Sequence, residues 1–265
     1  MAKALFFDID GTLIDGKHGV RTIYPEVIEQ LVRIREMGHK LIVATGRPKI
    51  MLKGELPDLG FSGYVMANGG HVEMEGQTVY EERMGYEPAR AAADLLEDMG
   101  IEYTIDTPHH VYIRPEYQGL RTFFSHHPEI FTFAFDREAA LARAIKLEAY
   151  PSDAQRIDIR NRVAKDIGPS VFCGDNGTGM TFEMYAPTLS KVNGIRQALR
   201  YFGIPREQSF AFGDGDNDLA MIGYCGTGVA MGNATPAVKV GADLVCGAIN
   251  EGGLAQVLRE LFPAE

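Results

Sequence analysis

The short run Ala4-Leu5-Phe6-Phe7 contains no polar residue and breaks off into Asp8-Ile9-Asp10-Gly11-Thr12-Leu13. Far downstream a second run, Ser209-Phe210-Ala211-Phe212-Gly213, breaks off into Asp214-Gly215-Asp216-Asn217-Asp218. Short apolar runs bounded by turn residues suit strands buried on both faces, and such strands belong mainly to parallel sheets covered by helices. Side chains two apart in an extended chain share a face, so Asp8 and Asp10 leave the sheet in one direction just where Gly11 lets the backbone turn. If the two strands are neighbours, their aspartates converge at the carboxyl ends of the strands, where open α/β folds bind ligands. An Asp-x-Asp-Gly string alone reads equally well as a polar turn. The second acidic run favours convergence, and crowded carboxylates either take up protons or capture a cation. Hard oxygen ligands suit Mg2+, which keeps several waters, so Asp8, the Asp10 backbone carbonyl and Asp214 would be enough to hold it.

The surrounding pattern alternates strand and helix. Strands are expected over 3–7, 40–44 and 63–66, with a helix over 25–37 that has Pro near its start and Gly38 just past its end. The rhythm returns at Ser190, with a helix over 195–202, strands over 209–212, 228–231 and 242–245, and a helix over 254–261. Between lies a block of different rhythm. It shows a helix over 88–99, strands over 101–105 and 111–113 around Asp106-Thr107-Pro108, and a strand over 144–149. Ser152-x-x-Gln155 reads as a capping box for a helix reaching 167, and 170–173 with 181–185 as a hairpin across the Gly-rich turn 174–179. The fold class expected is α/β, a doubly wound, Rossmann-like parallel sheet built from 1–82 and 187–265, with an α+β insertion over 83–186.

The motifs carry a family resemblance. Asp8-x-Asp10-Gly11-Thr12-Leu13 and Gly213-Asp214-x-x-Asn217-Asp218 resemble the first and fourth signatures of the haloacid dehalogenase superfamily, in its Cof-type phosphatase branch. Leu41-Ile42-Val43-Ala44-Thr45-Gly46-Arg47-Pro48 resembles the second motif, and Val65-Met66-Ala67-Asn68-Gly69-Gly70 the Asn-Gly-Ala loop of that branch. Ser190-Lys191 stands in the place of the third-motif lysine, although Val192 follows it where many relatives carry glycine, and Gly194 comes later. The match spans almost the whole chain.

The resemblance implies a type IIB cap for the inserted block and a Mg2+-dependent phosphomonoester hydrolase working through an aspartyl phosphate. It makes Asp8 the nucleophile, Asp10 the general acid and then base, Thr45 a hydroxyl donor to a phosphoryl oxygen, and Lys191 the cation joining phosphate to Asp8. Gly11, Thr12, Gly46, Arg47, Asn68 and Asn217 become substrate contacts. Asp8, Asp10, Asp214 and Asp218 surround the ion. Each position has a plainer reading: Thr45 before Gly46-Arg47-Pro48 suits a helix start, Asn217 and Asp218 suit a helix cap, and most lysines and arginines lie on solvated faces. Asp216 stands where the family pattern is permissive. The expected substrate is a small phosphorylated metabolite, a sugar or polyol phosphate. A sugar phosphomutase using the same intermediate and a non-catalytic phosphometabolite-binding module are the alternatives. A glycosidase would need neither Asp214 nor Lys191.

Composition narrows the partners. The chain has 265 residues, 45% hydrophobic and 23% charged, with a formal net charge of -10. That balance, without clustered Lys and Arg, argues against nucleic acid. Cys173, Cys225 and Cys246 are odd in number and widely spaced, so free thiols in a reducing compartment are expected. The first strand begins at once, with no room for a cleavable signal, and no apolar run is long enough to span a bilayer, so a cytoplasmic location is expected with no membrane partner. A cap that closes over the site would set selectivity, and His109, His110, Arg114, Arg121, His126 and His127 are its candidate contacts, though solvated loop positions suit most of them. Oligomeric state is not legible.

Overall fold

A computed structural model describes residues 1–16, 19, 22–52, 56, 59–125, 128–175 and 181–263. The chain opens with β1 (Ala4–Phe7), α1 (Pro25–Glu36), β2 (Lys40–Ala44), β3 (Gly63–Met66), β4 (His71–Met74) and β5 (Gln77–Glu81). There follow α2 (Tyr86–Asp98), β6 (Tyr103–Asp106), β7 (Val111–Ile113), α3 (Gln118–Phe123), β8 (Phe131–Thr132), α4 (Arg137–Leu141), β9 (Lys146–Ala149), α5 (Asp153–Arg162), β10 (Phe172–Asp175) and β11 (Phe182–Tyr185). The last stretch is α6 (Lys191–Phe202), β12 (Ser209–Gly213), α7 (Leu219–Tyr224), β13 (Thr227–Ala230), α8 (Pro236–Gly241), β14 (Leu244–Val245) and α9 (Gly253–Leu261). Contacts divide the chain into two units, one of residues 1–45, 52–80 and 190–265, the other of 46–51 and 81–189.

The first unit is built on an eight-stranded sheet in the order β14-β13-β12-β1-β2-β3-β4-β5. From β14 to β3 every neighbour is parallel, and β1 lies between β12 and β2 with Phe7 opposite both Phe212 and Val43. All four residues of β1 are buried, as a central parallel strand covered on both faces requires. The rings of Phe7 and Phe212 stack at 4.8 Å, a pairing worth ~1 kcal/mol beyond the area it buries. It fixes the register of the two strands whose next residues are the aspartates. The sheet is not parallel throughout: β4 runs antiparallel to β3. The reversal from β4 to β5 takes only Glu75 and Gly76, both at positive φ, as a two-residue hairpin demands.

The second unit has a six-stranded sheet, β10-β11-β9-β6-β7-β8, antiparallel except where β7 meets β8. One face of this sheet carries Leu147, Ala149, Ile105, Tyr103, Phe182 and Met184, which join Ala89, Ala92, Ala93 and Leu96 of α2 in one apolar cluster. The predicted capping box is formed, with Gln155 Oε1 accepting from the Ser152 backbone N–H at 2.9 Å. The helix it opens stops at Arg162 and passes into a wider π-type turn, Val163–Ile167. Ile50 and Met51 belong to this unit because they pack against Val111, Ile113, Leu120 and Phe131.

The opposite sheet face is polar. Lys146, 2% exposed, pairs with Glu183, with Glu148 at 3.2 Å and with Asp106 at 3.7 Å. Burial, with Glu148 and Glu183 nearby, pushes the Asp106 carboxyl up to about 7 against the pull of Lys146. Among the expected selectivity residues, Arg114 pairs with Glu97 at 3.3 Å, and Arg121 donates to the Pro115 carbonyl at 3.0 Å. The His110 ring lies 5.6 Å from that of Tyr112. His126, His127 and positions 176–179 lie outside the described residues.

Candidate active site

The carboxyl edge of the first sheet collects the polar side chains of three loops. Asp8 follows β1 directly, and its N–H donates to the Phe212 carbonyl at 3.0 Å, extending the ladder by one residue before the chain turns. The turn folds on itself: the N–H groups of Leu13 and Ile14 donate to the Ile9 carbonyl, each at 2.9 Å, and Gly11 N–H to the Ile14 carbonyl at 2.6 Å. Gly11 has φ +95°, and a Cβ there would lie 2.1 Å from Asp214 Oδ2, so only glycine lets the two acidic loops touch. Thr12 donates its hydroxyl to Asp214 Oδ1 at 3.1 Å. Asp10 stands exposed on the same turn.

Lys191, the first residue of α6, reaches back 183 positions to Asp8. Its ammonium donates to Asp8 Oδ1 and to Asp218 Oδ1, each at 2.6 Å, with all three side chains buried. Ser190 caps the helix by accepting from the Asn193 N–H. Asp218 Oδ2 accepts from the N–H groups of Asp214 and Gly215, both at 3.0 Å, so both oxygens of this carboxylate are engaged. Asn217 and Asp216 are exposed in the turn between.

Thr45 ends β2 and is 1% exposed. Its N–H donates to Val65, and its carbonyl accepts from Asn68 N–H at 3.1 Å, tying the second motif to the loop after β3. In that loop Ala67, Asn68 and Gly69 all have positive φ. A Cβ on Gly69 would sit 2.1 Å from the Ser190 carbonyl, and one on Gly194 would sit 2.3 Å from Val65 Cγ1. The glycine that comes three places after Lys191 is thus where α6 presses on β3 and its loop. Gly46 and Arg47 follow Thr45 and fall in the second unit.

One ligand oxygen from each of Asp8, Asp214 and Asp218 can be chosen within 4.8 Å of the others, a spacing able to hold a metal ion. Three carboxylates face one ammonium. Burial first, then Asp218, pushes the Asp8 carboxyl well above its ordinary range in spite of Lys191. Burial and Asp218 likewise push Asp214 up to about 7. Lys191 stays cationic, because Asp218 and Asp8 outweigh the desolvation that would lower it. The donor set is all oxygen and carries surplus negative charge, which fits a hard divalent cation.

Two further residues of this edge, both in the loop after β13, were not singled out from the sequence. Asn233 donates from Nδ2 to the Gly11 carbonyl at 2.8 Å and accepts from Ile249 N–H at 3.1 Å. Thr235 donates its hydroxyl to Asp216 at 2.6 Å and its N–H to the Asp214 carbonyl at 3.0 Å. The available signal was positional: Gly232-Asn233-Ala234-Thr235 follows an apolar run, as the other acidic and polar loops do.

The sequence pattern of haloacid dehalogenase-like hydrolases matches residues 5–258. The chain belongs to that family. It is 29% identical to YkrA of Bacillus subtilis (strain 168), over 98% of each chain. It is 28% identical to the phosphoglycolate phosphatase of Methanopyrus kandleri, covering 99% of this chain and 98% of that one. A 5-amino-6-(5-phospho-D-ribitylamino)uracil phosphatase of Bacillus subtilis, YitU, is 25% identical over 96% of each. Among solved structures, the subclass IIB sugar phosphatase BT4131 superposes with a TM-score of 0.82 at 27% identity, covering 98% of this chain and 99% of that one. This haloacid dehalogenase-like hydrolase is a phosphatase. No helix among its described residues is long and apolar enough to cross a membrane.

Proposed function

We propose that the chain is a Mg2+-dependent phosphomonoester hydrolase that cleaves a small sugar or polyol phosphate through a phosphoryl group carried on Asp8. The observation that carries this reading is the Lys191 ammonium 2.6 Å from both Asp8 and Asp218, beside Asp214. Asp8 and Asp214, with the carbonyl of Asp10, would hold the ion, while Asp218 braces Lys191 and the 214–215 amides. An ion held there would supply charge neutralisation for the carboxylates and for the phosphoryl group.

Lys191 aims Asp8 through its 2.6 Å contact, and the ion would supply the further positive charge that keeps the carboxylate ionised. An Asp8 oxygen attacks phosphorus as the ester oxygen departs, and Asp10, on the same turn, gives that oxygen its proton. Asp10 then takes a proton from water, whose oxygen attacks phosphorus and frees Asp8 and inorganic phosphate. Thr45, with Asn68 tied to its carbonyl, steadies the phosphoryl oxygens. Gly11, Thr12, Gly46, Arg47 and Asn217 complete the contacts to substrate. A hydroxylated leaving group is favoured because the similar proteins named above include a sugar phosphatase and a phosphoribityl phosphatase.

Hydrolysis of p-nitrophenyl phosphate with Mg2+ and with EDTA tests the reading, alongside Asp8→Asn. Turnover should need the ion and vanish in the variant, whose thermal stability is kept. Full activity in EDTA, or an active Asp8→Asn protein, would refute it.

A further inference from the structure

The turn that carries Asp10 is held from within by the Ile9 and Ile14 carbonyls, but its outer peptide is held by a side chain from another loop. The Gly11 carbonyl accepts from Asn233 Nδ2 at 2.8 Å. Asn233 is itself anchored: its Oδ1 accepts from Ile249 N–H at 3.1 Å, at the first residue of the helical turn Ile249–Glu251. The backbone around it is close-packed. Gly232 N–H donates to Gly247 at 3.1 Å, and a Cβ on Gly232 would meet the Ala248 nitrogen at 2.4 Å. Thr235, two residues on, bonds to the loop of Asp214. The loop after β13 therefore reaches both the β1 loop and the β12 loop, and Asn233 is its contact with the first.

We infer that Asn233 is a positioning residue for the catalytic turn. Its amide fixes the Gly11–Thr12 peptide, one residue past Asp10, and so sets where Asp10 presents its acid to the leaving oxygen and its carbonyl to the ion. The amide is exposed and charge-neutral, and it touches no reacting atom in this role. An exposed asparagine that bonds two separate backbones through both ends of its amide acts as a strut, because losing either end releases the other loop. This inference rests on the phosphatase reading for its kinetic consequence, but the tether itself does not.

Asn233→Asp separates the two bonds. It keeps an acceptor for Ile249 N–H and puts an oxygen where Gly11 needs a donor. The variant should lose about 10- to 100-fold in kcat with little change in KM, since a supporting contact or a displacement of about 1 Å near the chemistry costs that much. The loss should be larger for alkyl phosphates than for p-nitrophenyl phosphate, because a poor leaving group depends on a well-placed acid. A merely structural role would lower both substrates alike. Amide hydrogen exchange over residues 9–14, measured on the whole protein with and without Mg2+, reads the tether without turnover and should speed up in Asn233→Asp while β1 and β12 stay protected. Unchanged exchange there, or equal loss on both substrates, overturns the inference. A wild-type chain inactive on every phosphate ester would sink the phosphatase reading, and exchange over 9–14 would still decide this one.

Discussion

Lys191 is a single ammonium facing Asp8, Asp214 and Asp218, and that imbalance has a pH signature. Between its ordinary value of 3.8 and about 7, the folded Asp214 carboxyl holds a proton that the unfolded chain has released. Stability of the metal-free protein therefore falls as pH rises through that window. An arriving cation displaces those protons, so the rise in melting temperature on adding Mg2+ should be larger at pH 8 than at pH 5. Asp106 shares the upward shift, but it contributes alike with and without the ion and drops out of the difference. An equal or larger Mg2+ effect at pH 5 would contradict the metal assignment. Asp10→Asn should slow alkyl phosphates far more than p-nitrophenyl phosphate, and a uniform loss in steady-state kinetics would rule out its acid role. Asp8 and Asp214 could be grouped on paper because apolar strands announce where their carboxyl ends lie, and Lys191 only because Ser190-Lys191 stands in the place of the family's third motif. Asn233 could not, since asparagine after a strand is ordinary turn chemistry until the loop it touches is known. Nor could Asp218 be assigned between capping and the ion: its carboxylate serves Lys191 and two amides at once.

At the level of elements, the seat of Lys191 is the join between α6 and the loop after β3. Gly69 has φ +95° and its missing Cβ leaves room for the Ser190 carbonyl, whereas Gly76 has φ +80° and open space around it. Gly69→Ala should cost about 2 kcal/mol or more, strain and collision together, and should also lower kcat by shifting the start of α6. Gly76→Ala should cost only about 1 kcal/mol and leave kcat alone. Chemical denaturation and steady-state rates on both variants make the comparison, and equal effects would mean that the join does not set the lysine. The parallel strands and the helices between them were legible because apolar runs alternate with amphipathic ones. The β4–β5 hairpin was missed because its turn is Glu75-Gly76 rather than Asn-Gly, and a non-glycine residue at φ 49° leaves no trace in composition. Beyond Arg162 the helical pattern continues in sequence but the backbone widens, which periodicity does not report.

Across the whole molecule, separate cores divide the work of folding, since the apolar cluster around β1 shares no residue with the two of the second unit, around β9 and around β7. Lys146 belongs wholly to the second unit, buried among Asp106, Glu148 and Glu183. Lys146→Met removes the ammonium that pairs with Asp106, Glu148 and Glu183 and should destabilise by about 3–5 kcal/mol, because buried carboxylates lose that cation. Hydrogen exchange should then accelerate over 81–189 and leave β1, β2 and β12 protected; uniform acceleration would deny the units separate stability. An α/β sheet with an α+β insertion was legible from the change of rhythm, while the polar sheet face was not, since Lys and Glu two apart on a strand also suit a solvated surface. The place of β1 between β2 and β12 has a cost in time. A ribosome releases β1 and β2 before the second unit, yet β12 leaves only after the whole second unit has been made. Throughout that interval one flank of a wholly apolar strand lacks its hydrogen-bonding neighbour, a template for pairing with other nascent chains. Translation stalled before Ser209 should therefore yield a chaperone-dependent, aggregation-prone product, and the acidic edge at Asp8 comes into being only once β12 has been made.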